Sequence, residues 1–268
     1  MATERPWQLK MFDKSLKKQL KVAALQKHFG PLEGKKCLLV TCGDNNGATN
    51  YHLRAAGGEW TWGDFEDNSI AEMEQLLGEK VNLYDKETGK ISLPDHSFDL
   101  VVTIDVHEHL ADPIPVSKEL YRIVKKEGKV VVTTPNGDET KLAVRIKHLL
   151  GMSAKEYGHV RVGFDVPDLE EVLTKVGFKP GRSSSYSKFF TEMLELVINF
   201  AYVKVLSKKS KAKVEQGQIA PTTQDQLKSV QKSYKIYAMV YPIFWTISQL
   251  DALLFFKRGY AVIVEAKR

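Results

Sequence analysis

Asp105, His107, Glu108 and His109 bring two carboxylates and two imidazoles into one short stretch. They follow Phe98-Asp99-Leu100-Val101-Val102-Thr103-Ile104, a near-continuous β-branched run of the kind that forms a strand covered on both faces. In open α/β sheets ligands sit at the carboxyl ends of the strands, so a polar cluster there is placed for function. Neutral imidazole accepts a proton near pH 7. His107 and His109, with His159 further along, are therefore candidates for a general base. The plainer alternative for each is a histidine that bonds backbone beside a bound ligand.

A second stretch supplies the element that would hold such a ligand. Residues 35–64 read KKCLLVTCGDNNGATNYHLRAAGGEWTWGD. The apolar run Cys37-Leu38-Leu39-Val40 reads as a buried strand. It enters the small-residue turn Thr41-Cys42-Gly43-Asp44-Asn45-Asn46-Gly47, and residues 48–56 follow as a helix closed by Gly57-Gly58. A second strand over residues 59–62 ends at Gly63-Asp64. Strand, glycine-containing turn, helix, strand and acid is the order of a nucleotide-binding βαβ unit. The turn lets a ligand approach backbone, the helix N-terminus offers unpaired N–H groups, and the acid can accept hydrogen bonds from a ribose diol. A tight connection with no ligand is the bland alternative.

The remaining elements frame these two stretches. Residues 11–29 share an apolar face (Phe12, Leu16, Leu20, Ala23, Ala24) and read as one helix, packed beside the sheet or closing over a ligand. Asn68 is placed to cap a helix over 69–77, and 81–83 make a short third strand. Asp112 caps a helix with Pro113 at its first position; Glu127-Gly128 ends it before a fifth strand over 129–134. Helices are expected over 140–150 and 166–176, the latter capped by Asp165, with a loop between them carrying Tyr157, His159 and Arg161. A sixth strand begins at Phe178. Residues 189–206 form an apolar helix, 207–224 a mobile Lys/Ser/Gln-rich surface loop, and 226–256 a second apolar helical region interrupted by Pro242.

With 268 residues, 43% hydrophobic and 27% charged, the chain has room for one large decorated α/β domain. The net charge of +6 admits acidic partners or an anionic surface, although the lysines are spread over helix faces. No basic tract with interleaved aromatics points to nucleic acid. Cys37 and Cys42 are the only cysteines and show neither metal nor disulfide spacing, which fits a reducing, cytoplasmic setting. The N-terminus lacks the continuous apolar core of a secretory signal.

The stretch LPDHSFDLVVTIDVHEHLADPIPVSKELYRIVKKEGKVVVTTPN resembles the core of class I S-adenosylmethionine-dependent methyltransferases, in the group that includes ubiquinone-pathway O-methyltransferases. Residues 128–136, 159–178 and 259–267 are similar to that group's fifth-strand motif, sixth-helix region and last antiparallel strand. The resemblance implies a doubly wound, seven-stranded, mostly parallel sheet with an antiparallel last strand. It divides the chain into an N-terminal helical cap (1–30), a cofactor-binding core (31–188), a helical insertion or lid (189–258) and a last core strand (259–268).

The same resemblance implies S-adenosyl-L-methionine as cofactor, held by Thr41, Gly43, Asp44, Asn45, Gly47, Asp64, Phe65, Asp105 and Val106, with Asp64 on the ribose hydroxyls. Asp85 or the 90–91 backbone would meet the adenine. Thr41 stands where the family has an acid, and Asn45 replaces the middle glycine, a position Asn tolerates in the left-handed region. Methyl transfer is an in-line displacement from an activated sulfonium, so the protein must align the acceptor and exclude water. An acceptor hydroxyl also needs a base. The family's motif histidine suits His109 to a role beside the cofactor, whereas His107 stands at a usually apolar position and is the more distinctive base candidate. Asp105, Glu108 and His109 match an acid-x-x-Glu-His pattern associated with a divalent ion, a secondary reading beside the one with no metal.

The expected activity is methyl transfer to a small-molecule or lipid-like acceptor at oxygen. A degenerate binding domain is the rival, motivated by Thr41 and Asn45. A dinucleotide oxidoreductase is disfavoured because G-x-G-x-x-G is absent. Residues 236–256 are about long enough to span a bilayer, but Pro242, Gln249 and Asp251 argue against a span. The insertion is left with three readings: an oligomer contact such as a homodimer or an added helical layer, a lid over the acceptor, or peripheral membrane contact aided by the lysines of 208–213.

Overall fold

Alternation along the strands decides which helices cover which face. In the computed structural model, which describes residues 4–206 and 218–268, β1 (Lys36–Thr41), β4 (Phe98–Ile104) and β5 (Val124–Pro135) form the sheet centre. Leu38, Val40, Val101, Val130 and Val132 point to one face, where they meet Leu120 and Ile123 of α5 (Ile114–Ile123) and Leu169 and Leu173 of α7 (Val166–Lys175). Cys37, Leu39, Val102 and Val131 point to the other, against Leu25 and Phe29 of α2 (Leu16–Phe29), Leu53 of α3 (Ala48–Arg54) and Met73 of α4 (Ile70–Leu77). The period of two along each strand makes both faces apolar, as a sheet buried between helix layers requires.

With β2 (Glu59–Asp64), β3 (Val81–Leu83), β6 (Lys179–Tyr186) and β7 (Ala261–Lys267), the seven strands run in the order β3-β2-β1-β4-β5-β7-β6. β1 to β5 are parallel, and β7 is antiparallel to both β5 and β6. This is the doubly wound, seven-stranded fold expected from the sequence. The chain leaves β1 toward β2 and β3, then returns to place β4 on the opposite side of β1. That reversal opens a crevice at the carboxyl ends of β1 and β4.

Several expected boundaries move. The N-terminal helix is two, α1 (Trp7–Phe12) and α2, because the chain turns at Asp13-Lys14-Ser15. Ser69, not Asn68, occupies the N-cap of α4. Pro113 takes the N-cap of α5, while Asp112 still accepts the Ile114 N–H at 2.9 Å. Glu127-Gly128 does not end that helix but lies inside β5, where the register with β4 shifts between Phe98 and Leu100. The next expected helix shortens to α6 (Leu142–Leu149).

The insertion folds as α8 (Phe189–Phe200) with a π-helical turn over Ala201–Leu206, then α9 (Gln224–Ser229), α10 (Gln231–Ser248) and a 3-10 segment Gln249–Leu254. Of the expected surface loop 207–224, residues 207–217 lie outside the described residues. Gln218 and Thr222 are buried; Gln226 donates to the Gln218 side-chain oxygen and accepts from the Thr222 N–H and hydroxyl. Asp251, taken from sequence as a disruption of an apolar stretch, accepts hydrogen bonds from Lys188, Phe190 and Thr191 N–H at 3.0, 2.8 and 3.3 Å. It satisfies the N-terminal donors of α8, which no side chain of its own caps. Among the described residues no helix is long and apolar enough to cross a membrane.

Candidate active site

The turn after β1 is built by its own side chains. Gly43 and Gly47 adopt φ of +67° and +87°, and Asp44 adopts +42°. Asp64, at the end of β2, is buried and accepts from Gly43 N–H at 2.8 Å, Glu66 N–H at 2.9 Å and the Thr41 hydroxyl. Burial pushes its carboxyl up to about 6 against these three donors. Asn45 donates to Thr41 Oγ1 at 3.1 Å and to Asn50 Oδ1 at 3.0 Å, and its own oxygen accepts from Gly47 N–H at 3.0 Å. The two departures from the family pattern, Thr41 and Asn45, thus form one network with Asp64 that holds the turn.

That network bears on which acid can meet a ligand. Both Asp64 oxygens are engaged inside the turn, and Asp64 does not line the crevice. Glu66, two residues later, does. A Cβ on Gly43 would stand 2.5 Å from Glu66 Oε2, so the glycine makes room for this carboxylate. Lys86 also faces the crevice and pairs with Glu66 at 2.9 Å. Asp85, the sequence candidate for that side, is spent on its own turn, accepting from Glu87 N–H and Thr88. Gly47 lies off the crevice wall: a Cβ there would meet Met73 Cα at 3.1 Å, so its glycine serves helix packing. Phe65 and Val106 are buried in the core behind the site.

The polar cluster after β4 divides. Asp105, at φ +52°, pairs with Lys21 of α2. Burial would raise its carboxyl, but Lys21 outweighs burial and lowers it. His107 is fully buried and turned away from the crevice; Nε2 lies 3.2 Å from Ser117 Oγ and the ring stands edge-on to Phe164. Burial lowers its imidazole to about 4. The most distinctive base candidate of the sequence is therefore a core residue.

Glu108 and His109 do face the crevice, and the 153–163 loop brings His159 to them. The His109 and His159 rings are 4.7 Å apart and edge-to-face. A ligand atom of each, with one of Glu108, lies within 4.8 Å of the others. His109 Nδ1 is 3.0 Å from the Gly158 carbonyl, which accepts only if Nδ1 carries the proton; Nε2 is then the lone-pair nitrogen. Burial, aided by Lys86, lowers the His109 imidazole, and burial with His109 takes His159 down to about 3. Both rings are neutral at pH 7. Neither Glu108 oxygen has a hydrogen-bond partner among the described residues, and burial followed by Asp105 raises its carboxyl well above the ordinary range. Of the secondary metal set Asp105, Glu108 and His109, the structure groups the last two with His159 and leaves Asp105 on Lys21.

These groups form one end of a cavity of about 830 Å³. Its other walls come from α2, α8, residues 218–221 and α10, with Tyr234, Tyr237, Val240 and Phe244 turned inward. Sequence reasoning missed Glu66, Lys86 and Lys21. Glu66 had a signal, an acid two positions beyond the strand end; Lys21 had none, because its partner lies 84 residues away.

Residues 38–132, from β1 into β5, match a family model described as a methyltransferase domain. No curated protein matches the chain. A S-adenosylmethionine-dependent methyltransferase from Archaeoglobus fulgidus superposes with a TM-score of 0.56 at 18% identity, covering 98% of this chain and 100% of that one. Another from Mesorhizobium loti gives 0.53 at 14% identity, covering 92% and 96%. At these identities the likeness is one of fold.

Proposed function

We propose that this chain is a S-adenosylmethionine-dependent methyltransferase acting on a small, largely apolar acceptor at an oxygen atom. The observation that carries it is a cavity that joins the glycine turn and Glu66 at the switch point to an aromatic wall from α10. Its volume is within the range of roughly 300–1,000 Å³ for small-molecule sites. The match over residues 38–132 supports the reaction class.

In this reading S-adenosylmethionine supplies a methyl already activated by the sulfonium charge. Glu66 would receive the ribose hydroxyls, and the turn 42–45 would hold the amino-acid end. Lys21 holds Asp105 against this end of the site. Glu108 is an acid without partners, kept neutral by burial and ready to ionise beside a cation. His109 Nε2 takes the acceptor proton, its orientation set by the Gly158 carbonyl. Tyr237 and Phe244 hold the acceptor's apolar part and exclude water. Calorimetry with S-adenosylhomocysteine tests the cofactor assignment, and a labelled-methyl assay against phenolic and hydroxylated lipid acceptors tests the acceptor. Failure to bind S-adenosylhomocysteine would leave a methyltransferase-like fold with another use.

Glu66→Ala should weaken S-adenosylhomocysteine by about 1.5–3 kcal/mol, the scale for hydrogen bonds to a charged group. Asp64→Asn should act differently, lowering the melting temperature because it disturbs the Thr41–Asn45 network. Equal affinity for Glu66→Ala and the parent would return the ribose to another group.

Ionisation of Glu108 gives a second check. A carboxyl held protonated must lose its proton to meet the sulfonium, and S-adenosylhomocysteine lacks that charge. The preference for S-adenosylmethionine over S-adenosylhomocysteine should therefore rise with pH in the parent and become flat in Glu108→Gln. A pH-independent ratio in the parent would exclude contact between Glu108 and the sulfonium.

A further inference from the structure

We infer that the turn formed by Leu253, Phe255 and Phe256, together with Lys141, Lys257 and Arg258, docks this protein on the interface of an anionic lipid membrane. This stands apart from the reaction and concerns a surface the cavity does not use.

The 3-10 segment Gln249–Leu254 follows α10 and turns its one acid inward, where Asp251 caps α8. Beyond Gln249, what remains outside is apolar. Phe255 is 82% exposed, Leu253 68% and Phe256 65%, and Leu142 at the start of α6 is 57% exposed. The two phenylalanine rings sit edge-to-face at 5.6 Å, so they present themselves together. Large apolar side chains this far out of the core lose the gain that burial would bring, so a cluster of them marks a surface suited to a partner.

The turn is not a loose end. Gly259 N–H donates to Ser185 Oγ at 2.9 Å, and its carbonyl accepts from Asn136 at 3.0 Å, which ties the segment to β6 and the end of β5. Lys141 Nζ donates to the Arg258 carbonyl at 3.0 Å and brings Leu142 beside the turn. Lys257 Nζ lies 5.5 Å from the centre of the Phe256 ring. Among the described residues no carboxylate forms an ion pair with Lys141, Lys257 or Arg258; Asp138, whose charge acts on Lys141, accepts the Thr140 hydroxyl. Burial, then the neighbouring cations, lowers the Lys141 ammonium despite Asp138.

An apolar apex edged by cations that form no ion pair is complementary to a bilayer interface. The rings enter the acyl boundary while lysine and arginine stay at the headgroup level. A soluble acidic partner would satisfy the cations but leave the apex with no reason to be apolar. A neutral apolar partner would strand the charges.

Vesicle flotation of the full chain tests this, using phosphatidylcholine with and without phosphatidylserine. Binding is expected to the anionic vesicles, to fall at high salt, and to be much weaker on phosphatidylcholine alone. Phe255→Ser/Phe256→Ser should reduce binding at least tenfold with an unchanged melting temperature. Each of Lys141→Gln, Lys257→Gln and Arg258→Gln should cost roughly fivefold at low salt. Met239→Ser/Ile243→Ser, on the exposed side of α10, should bind like the parent. Absence of binding overturns the inference. So does anionic binding that survives the double phenylalanine variant, which would belong to other lysines, or binding lost only in the α10 variant. If vesicles are ignored but the parent self-associates and the phenylalanine variant is monomeric, the turn is a contact between copies and the inference fails.

Discussion

His109→Ala is expected to lower turnover by roughly 10²–10⁴-fold, the usual worth of a general base, while leaving cofactor affinity nearly intact. Three observations support the proposal that His109 is the base. His109 lines the cavity, its Nδ1 is committed to the Gly158 carbonyl, and Nε2 is left as the proton acceptor. The pH dependence follows from the direction of the shift. Burial lowers the imidazole, so its neutral form persists to lower pH than an ordinary histidine's. The acid limb of kcat/KM should lie below the ordinary value of 6.5. His107→Ala should behave otherwise. That ring is buried on Phe164 and Ser117, so its loss should lower the melting temperature and affect turnover only through stability. Full activity in His109→Ala would pass the role to His159, whose ring lies 4.7 Å away. An acid limb at the ordinary value would show that bound acceptor or cofactor restores the solvation that burial removes.

The sheet was legible because its signal is local. Cys37–Val40, the 98–104 run and the 129–134 run carry apolar residues on both strand faces, which only a sheet between two helix layers accommodates. The polar cluster after Ile104 was legible as a site for the same reason, since a strand end fixes where it stands. Which of its members faces the cavity was not. Asp105, His107, Glu108 and His109 lie in a positive-φ residue followed by a 3-10 turn, His107–His109, and a tight turn sends neighbouring side chains in unrelated directions. A periodicity of two or 3.6 says nothing about it. The orientation of Asp64 was out of reach for a related reason. The strand pattern locates an acid at the end of β2 but not which way its oxygens point, and the turn's own donors consume them. Long-range pairs were out of reach altogether: Lys21 with Asp105 and Lys17 with Glu192 join helices to distant partners, and charge spacing on one helix cannot show them.

Glu192→Gln should cost up to about 3–5 kcal/mol of stability, because it strips the main counter-charge from two partly buried ammonium groups on the cavity wall. Glu192 is 1% exposed. It pairs with Lys17 of α2 at 3.0 Å and with Lys147 of α6, and it accepts the Ser187 hydroxyl at 2.9 Å. One carboxylate on α8 therefore ties the N-terminal helix and α6 to the insertion, all on the cavity wall. Burial would raise this carboxyl, but Lys147 and Lys17 together hold it at about 2. Burial and attraction also compete at the lysines: attraction wins at Lys17, whose ammonium is raised, and burial wins at Lys147, whose ammonium is lowered. The sign of the pH effect follows. A carboxyl depressed from 4.5 in the folded state contributes stability that is complete above 4.5 and is lost as pH falls toward 2. The parent should lose stability across that window, and Glu192→Gln should lose less, since its deficit is already present at neutral pH. The melting temperature of the variant at pH 7 should fall by roughly 6–20 °C, taking about 2–4 °C per kcal/mol for a chain of this size. Adding Lys17→Met and Lys147→Met to Glu192→Leu should recover much of the loss, because apolar replacement removes the stranded charges along with their partner. A Glu192→Gln variant that melts with the parent would mean that water reaches both ammonium groups and that the three elements are held by packing alone.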